Sequence, residues 1–375
     1  MACHAGDASD GGFLNDMMLS AIWFGLAVLA CCSLAGPVGR LIGVIDYPDG
    51  GRKSHARPTP MIGGIALMVP LLLVALVEAS WHHPGSEIFS TLLLAGCGFL
   101  LLGWYDDRDH VPPGVRLLIS TTLFGAVILL QPGLALTSLD FGGLVVIPLW
   151  IVALPFTVLC LVGLQNAINM ADGMNGLLIG LAMFWTACLL KYAPDELQLY
   201  LTLMLVGLTI LLLYNVAGAL FLGDAGSYSI GATIGILMIY CHQRADGALP
   251  VLTVVLWLLV PVVDCLRVMA TRTFQQRSPL EGDKNHLHHR LARSWRWPLC
   301  LAAYLAAVVV PGSIGALWPD LSLAMIVVSL ACYGTLLLLT RTESVAVSEP
   351  RRPARDLPRA QPRPAQAVDS PRGST

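Results

Sequence analysis

Five short stretches of this 375-residue chain gather the side chains able to hold anions, cations or protons. The first runs from Asp46 to Gly64 and places Arg52, Lys53, His55 and Arg57 among prolines and glycines. Such a set would clamp an anion, with Gly63 and Gly64 letting backbone come close to it. A loop that merely keeps positive charge on one side of a membrane has the same composition. The second stretch is Asp106-Asp107-Arg108-Asp109, at the end of an apolar run. Asp106 and Asp109 would share a helix face, and Asp107 would point elsewhere. Carboxylates beside an apolar helix are costly unless they face water or hold a cation, and hard oxygen ligands suit Mg²⁺; a solvated helix end paired with Arg108 is the plainer alternative. In the third stretch Asn166, Asn169 and Asp172 recur every three residues, followed by Asn175, with no Lys or Arg beside them. One helical stripe would carry the first three, as the wall of a polar pocket. Interhelical hydrogen bonding explains one such Asn better than three polar residues in register. The fourth is Phe221-Leu222-Gly223-Asp224-Ala225-Gly226-Ser227. Its carboxylate has no nearby cation, which points to a bound metal or to a cap on the following helix. The fifth holds His286, His288, His289 and Arg290 in the most basic loop. His286 and His289 can share a helix face, and His288 cannot join them. Neither H-E-x-x-H nor C-x-x-C accompanies them, so imidazoles and cations facing a pyrophosphate oxyanion fit better than zinc.

The elements that position these clusters follow from hydropathy. Apolar residues make up 56% of the chain and charged residues 12%, and the mean hydropathy is +0.71. Soluble domains carry about 25% charged residues, so a water-soluble fold and a disordered chain are both excluded. The apolar runs are too long for barrel strands and suit membrane-spanning helices. Eleven spans are predicted, at approximately 18–38, 61–79, 88–104, 115–131, 144–164, 174–190, 198–215, 226–241, 248–269, 297–317 and 321–340. With eleven spans, 20 of the 22 Lys and Arg fall on one side, and Lys191 and Arg244 fall on the other. Basic loops stay cytoplasmic, so the expected fold is an all-α polytopic membrane protein with its N-terminus outside and its C-terminus inside. All five clusters then lie at the cytoplasmic face. The division expected is an external N-terminal tail (1–17), a transmembrane domain (18–340) and a Pro- and Arg-rich cytoplasmic tail (341–375) of disordered composition. No basic n-region precedes the first span, so no cleaved signal peptide is expected. The ten cysteines are scattered and read as small apolar packing residues.

Acids to hold Mg²⁺ and cations to hold phosphates are the parts of phosphoryl transfer. A membrane-boundary location adds a lipid substrate and a soluble one. A secondary transporter would place its ionisable groups near mid-span, and a scaffold would not need the carboxylates. The ordered motifs D-Y-P-D-G-G-R-K-S-H-x-R-P-T-P-x-x-G-G, D-D, N-A-I-N-M-A-D-G-M-N-G-L, F-L-G-D-A-G-S and H-L-H-H resemble the polyprenyl-phosphate N-acetylhexosamine-1-phosphate transferases over roughly residues 40–295. The last motif looks like the WecA-type branch. The MraY-type branch, which makes peptidoglycan lipid I, tends to show three consecutive histidines where Leu287 intervenes here. Asn175 departs from the family, which often has Asp there.

The resemblance implies transfer of GlcNAc-1-phosphate from UDP-GlcNAc to undecaprenyl phosphate with release of UMP, opening synthesis of O-antigen or another surface polysaccharide. Its alternatives are the phospho-N-acetylmuramoyl-pentapeptide reaction or another UDP-N-acetylhexosamine. It implies Mg²⁺, with Mn²⁺ as a substitute, held by Asp224 and Asp107. Asp106, Asp107, Asp224 and His289 would be catalytic. Arg52, Lys53, His55, Asn166, Asn169, Asp172, Asn175, Phe221, His286 and His288 would bind substrate. Asp106 would position the lipid phosphate or act as a base. The implied partners are the lipid, the UDP-sugar and the bacterial inner membrane, with no nucleic acid and a homodimer as the assembly to test.

Overall fold

The computed structural model describes residues 7–48, 57–81, 85–142, 145–244, 249–278 and 285–340. An apolar segment in a bilayer must satisfy its own backbone polar groups, which a helix does within itself. The chain accordingly forms α1 (Asp7–Ser33), α2 (Ala35–Ile42), α3 (Gly63–Ser80), α4 (Ser86–Asp109), α5 (Pro113–Leu130), α6 (Ala153–Ala171), α7 (Leu177–Leu189), α8 (Asp195–Val216), α9 (Gly223–Gln243), α10 (Val251–Phe274), α11 (Leu287–Ser294), α12 (Trp297–Leu317) and α13 (Ser322–Leu339). Two short antiparallel pairs join them, β1 (Ile45–Asp46) with β2 (Thr59–Pro60) and β3 (Ser138–Asp140) with β4 (Val146–Pro148).

Among the described residues, nine helical segments are long and apolar enough to cross a membrane. The other two of the eleven predicted spans are also helical. One is the 13-residue α7, and the other is α9, whose Gly, Ser and Thr dilute its hydropathy. The boundaries differ in two places. The first predicted span breaks at Leu34, and α2 follows as a separate amphipathic helix with Leu41 exposed and Gly39 buried. The fifth was expected from residue 144, but 146–148 pair with 138–140 as a hairpin, and α6 begins only at Ala153. Pro148, whose ring nitrogen has no hydrogen to donate, sits at the end of that ladder.

Helix α9 forms the centre, buried continuously from Ala225 to Ile239. Its small residues Ser227, Gly231 and Gly235 face α6, which runs antiparallel to it. Gly231 lies beside Gln165 and Ile168, and Gly235 beside Leu161 and Leu164. Small residues at this spacing let two membrane helices approach closely. Helix α3 meets α9 more tightly still. Gly63 N–H and Gly64 N–H donate to the Phe221 and Leu222 carbonyls at 2.9 Å, and a Cβ on Gly64 would overlap the Gly226 backbone. Gly63 and Gly64 thus serve a helix crossing, where the sequence pointed to close approach by a ligand.

Three helices contain an interior proline, Pro70 in α3, Pro261 in α10 and Pro311 in α12, whose missing N–H frees a carbonyl four residues earlier; in the last two a neighbouring helix takes that carbonyl. The carbonyl of Trp257, opposite Pro261, accepts from Trp185 Nε1 at 3.0 Å. That of Ala307, opposite Pro311, accepts from Ser329 Oγ at 3.1 Å. Neighbouring helices therefore re-satisfy the broken ladders, and α7, α10, α12 and α13 are bound together at those points.

Candidate active site

Asp107 reaches from the last turn of α4 to the first turn of α9. Its Oδ1 accepts the Asp224 N–H at 2.8 Å and its Oδ2 the Ala225 N–H at 3.0 Å. These are donors that a helix start leaves without partners, and a carboxylate there also faces the positive end of the helix dipole. Asp224, the second residue of α9, is therefore not that helix's cap. Asp107 supplies the cap from 117 residues away, leaving the Asp224 side chain to the site. Asp224 Oδ1 accepts from Asn169 Nδ2 at 2.7 Å, and the same amide reaches Ser227 Oγ at 2.8 Å.

Asp106 is 5% exposed. Its Oδ1 accepts the Val111 N–H at 2.8 Å. Its Oδ2 accepts from Arg116 Nη1 at 3.0 Å and from the Tyr228 hydroxyl at 2.7 Å. Arg116 Nη1 also donates to that hydroxyl at 2.8 Å, closing a three-membered network across α4, α5 and α9. Asp109 takes no part, since it pairs with Arg108 at 3.6 Å on an exposed surface.

Helix α6 ends at Ala171, so Asp172, predicted as the last member of the helical stripe, falls outside the helix as its C-cap. Burial, followed by the charge of Asp224, pushes the Asp172 carboxyl up to about 7. Asp224 thus lies within electrostatic reach of Asp106, Asp107 and Asp172, with the guanidinium of Arg116 paired to Asp106. Crowded carboxylates of this kind favour a bound cation. The donors are hard oxygens, which suits a divalent ion of the Mg²⁺ class. Among the described residues, no three His, Cys, Asp or Glu side chains are arranged to hold a metal by themselves. A carboxylate or two, completed by water and substrate phosphates, is the usual Mg²⁺ arrangement.

The third and fifth clusters also meet. The His288 ring lies against Gly173, where a Cβ would overlap Nε2. His288 is 2% exposed, and its Nε2 has no hydrogen-bond partner. Burial, reinforced by His289 and His286, pushes its imidazole down to about 3. The face assignment among the histidines changes: His286 is the N-cap residue of α11 and stacks on His288, with centroids 5.8 Å apart and planes 6° apart. His289 lies 4.1 Å from His288, centroid to centroid. Asn166, Asn175 and Phe221 make contacts outside these two networks. Asn166 Nδ2 donates to the Val162 carbonyl at 2.8 Å. The Asn175 carbonyl accepts from Trp297 Nε1 at 3.2 Å. Phe221 N–H donates to the Pro60 carbonyl at 2.9 Å. Arg52, Lys53 and His55 lie outside the described residues.

Sequence reasoning missed Arg116, Tyr228, Asn215 and Asp264. Asn215 Oδ1 accepts the Gly176 N–H and its Nδ2 donates to the Leu220 carbonyl, so one side chain holds the loops after α6 and α8 together. Asp264 takes the His286 imidazole. The signal available for both was a lone polar residue inside an apolar run. Tyr228 offered none, because a tyrosine in a packed helix is ordinary.

Comparison with known proteins gives the same picture from outside the geometry. The model of glycosyl transferase family 4 matches residues 89–242, which span α4 to α9. A Bacillus subtilis protein named "Probable undecaprenyl-phosphate N-acetylglucosaminyl 1-phosphate transferase" is 30% identical over 276 residues, covering 71% of this chain and 74% of its own. The undecaprenyl-phosphate alpha-N-acetylglucosaminyl 1-phosphate transferase of Yersinia pestis is 30% identical over 298 residues, 75% of this chain and 78% of its own. The decaprenyl-phosphate N-acetylglucosaminephosphotransferase of Mycolicibacterium smegmatis is 28% identical over 279 residues, 66% and 68%. With its carboxylates and histidines gathered at one end of a multi-pass helical bundle, the chain belongs to glycosyl transferase family 4, among the WecA-type polyprenyl-phosphate N-acetylhexosamine-1-phosphate transferases.

Proposed function

We propose that the protein transfers N-acetylglucosamine 1-phosphate from UDP-GlcNAc to undecaprenyl phosphate at the cytoplasmic face of a bacterial inner membrane. A lipid phosphate oxygen forms a bond to the sugar-linked phosphorus, the bond from that phosphorus to UMP breaks, and undecaprenyl-pyrophosphate-GlcNAc results. The observation that carries this reading is the convergence of Asp106, Asp107, Asp172 and Asp224 beside Arg116 and the histidine loop. Relatives named as N-acetylglucosaminyl transferases favour GlcNAc over the N-acetylmuramoyl-pentapeptide alternative.

Asp224 and Asp107 would hold Mg²⁺, which offsets charge developing on the transferred phosphoryl group and on UMP. Within this reading the chain's own residues divide the remaining work. Asp107 holds the start of α9 and so places Asp224. Asn169 orients the Asp224 carboxylate. Asp106 is committed to Arg116 and Tyr228, which suits a positioning role better than that of a free base. A lipid monophosphate is already largely ionised near neutral pH, its second pKa being about 6, so no base is required. His288, neutral and buried, packs the histidine loop against the Asp172 turn.

The test is UMP release by purified protein with undecaprenyl phosphate and a panel of UDP-sugars, with Mg²⁺, with Mn²⁺ and with chelator. The expected result is release from UDP-GlcNAc that chelator abolishes and either cation restores. Release from UDP-N-acetylmuramoyl-pentapeptide instead would establish the alternative.

A further inference from the structure

Asp264 is an acidic residue well inside the apolar run of α10, 3% exposed. A carboxylate there is expensive unless donors surround it, and here they do. Oδ1 accepts from Arg267 Nη2 at 2.9 Å and from the Tyr333 hydroxyl at 2.9 Å. Oδ2 accepts from His286 Nδ1 at 2.9 Å. The Leu287 N–H lies 3.2 and 3.0 Å from the two oxygens. Arg267 is itself fixed by donating from Nε to Tyr333 at 2.8 Å and from Nη2 to the Asn285 carbonyl at 2.6 Å. These bonds converge on the imidazole of His286 and on the first amide of α11, so Asp264 does more than lock α10 to α13. From there a line of contacts leads to the carboxylate centre. His286 stacks on His288, and His288 presses on Gly173, the neighbour of Asp172.

We propose that Asp264 is a positioning residue for the transfer reaction, holding His286 through Nδ1 so that its ring orientation and tautomer are set. An acceptor-only carboxylate on Nδ1 requires the proton to sit there and leaves Nε2 as the ring's other polar atom. Tyr333 and Arg267 hold the carboxylate in turn, so the α10–α13 contact sets the pose of the histidine loop.

The inference rests on the transferase reading, and the experiment separates the two. Purified full-length protein is assayed for UMP release from UDP-GlcNAc as wild type, Asp264→Asn, His286→Ala and the double variant. Asparagine fills the same volume but brings an NH₂ donor into a site made wholly of donors. In Asp264→Asn, kcat should fall about 30-fold or more while KM for UDP-GlcNAc stays within about threefold. Placed on His286→Ala, the same substitution should cost less than about threefold further, because its effect passes through that ring. Tyr333→Phe keeps the packing and removes one donor. It should cost about three- to tenfold alone and nothing measurable on His286→Ala, and it carries the test if Asp264→Asn does not fold. Losses that multiply in the double variants, or a near-wild-type kcat in Asp264→Asn, overturn the proposal with the transferase reading intact. A wild-type protein releasing no UMP from any UDP-sugar overturns both.

Discussion

Asp224 stands at the start of a buried helix whose cap comes from another residue, so its carboxylate is not needed to hold that helix together. Asp224→Asn preserves the shape and can still accept from Asn169, but it removes a hard anionic ligand. If Asp224 holds Mg²⁺, losing about 3–4 kcal/mol of transition-state stabilisation lowers UMP release by roughly two to three powers of ten. Thermal stability should hold, and the Mg²⁺ titration should shift to higher concentration. Asn175→Ala is the contrast, since Asn175 is uncharged and its carbonyl, not its side chain, meets Trp297. That variant should chiefly raise the apparent KM for the UDP-sugar. A well-folded Asp224→Asn enzyme of near-normal rate and unchanged Mg²⁺ dependence would remove Asp224 from the site. His288 supports a second prediction, about stability. Its imidazole titrates near 3 in the fold against an ordinary 6.5, so between those values the unfolded chain binds the extra proton. Stability contributed at this position is therefore present above pH 6.5 and lost as pH falls, by about 2 kcal/mol at pH 5. His288→Gln should flatten the fall in Tm between pH 7 and pH 5 in detergent. An unchanged slope would assign the acid sensitivity to other groups.

At the scale of elements, the site exists because α3, α4 and α6 all come very close to α9. The Gly64 crossing is the tightest of these contacts to interpret, because backbone meets backbone and no flexible side chain can yield. Gly64→Ala should therefore destabilise by about 3 kcal/mol, the upper end of overpacking costs. It should also lower activity out of proportion to substrate affinity, because the Phe221–Asp224 segment hydrogen-bonds to the start of α3. Thermal unfolding of the purified variant together with its kcat and KM checks both. A Tm equal to wild type would show that α3 and α9 can separate without cost, and the crossing would then not be what places Asp224. The proline sites make a complementary point. Pro261 and Pro311 would weaken isolated helices, yet the carbonyls they free are taken by Trp185 and Ser329. The helix breakers thus become interhelical attachment points that involve α10 and α13, the helices that carry Asp264 and its partner Tyr333.

For the whole molecule, the orientation proposed for the bundle rests on the charge distribution. Of 22 Lys and Arg, all but Lys191 and Arg244 fall in alternate connections and the tail, which the positive-inside bias places in the cytoplasm. In the proposed eleven-span topology the carboxylate and histidine clusters would share that side. A reporter fused after residue 345 should be active only in its cytoplasmic form, and one inserted at residue 84 only in its external form. The reverse at either point would sink this orientation, and with it the access of a cytoplasmic nucleotide sugar to Asp224.

Much of this was legible in the sequence, for physical reasons. Apolar runs of helical length leave the backbone one economical conformation in lipid, so most of the helices were readable from hydropathy alone. The residue types in the clusters and their order along the chain carried the chemistry and the family. What tertiary structure decided is how each polar atom is used. Asp107 spends its oxygens on the start of α9, 117 residues away, and Asp106 spends one on Tyr228, 122 residues away. Asp264 joins α10 to a histidine 22 residues on and to a tyrosine 69 residues on. No local pattern encodes such pairings, because a carboxylate's environment is set by which helices cross there. Those crossings depend on small side chains at single positions, such as Gly64 against Gly226, whose partners appear only once the chain is folded.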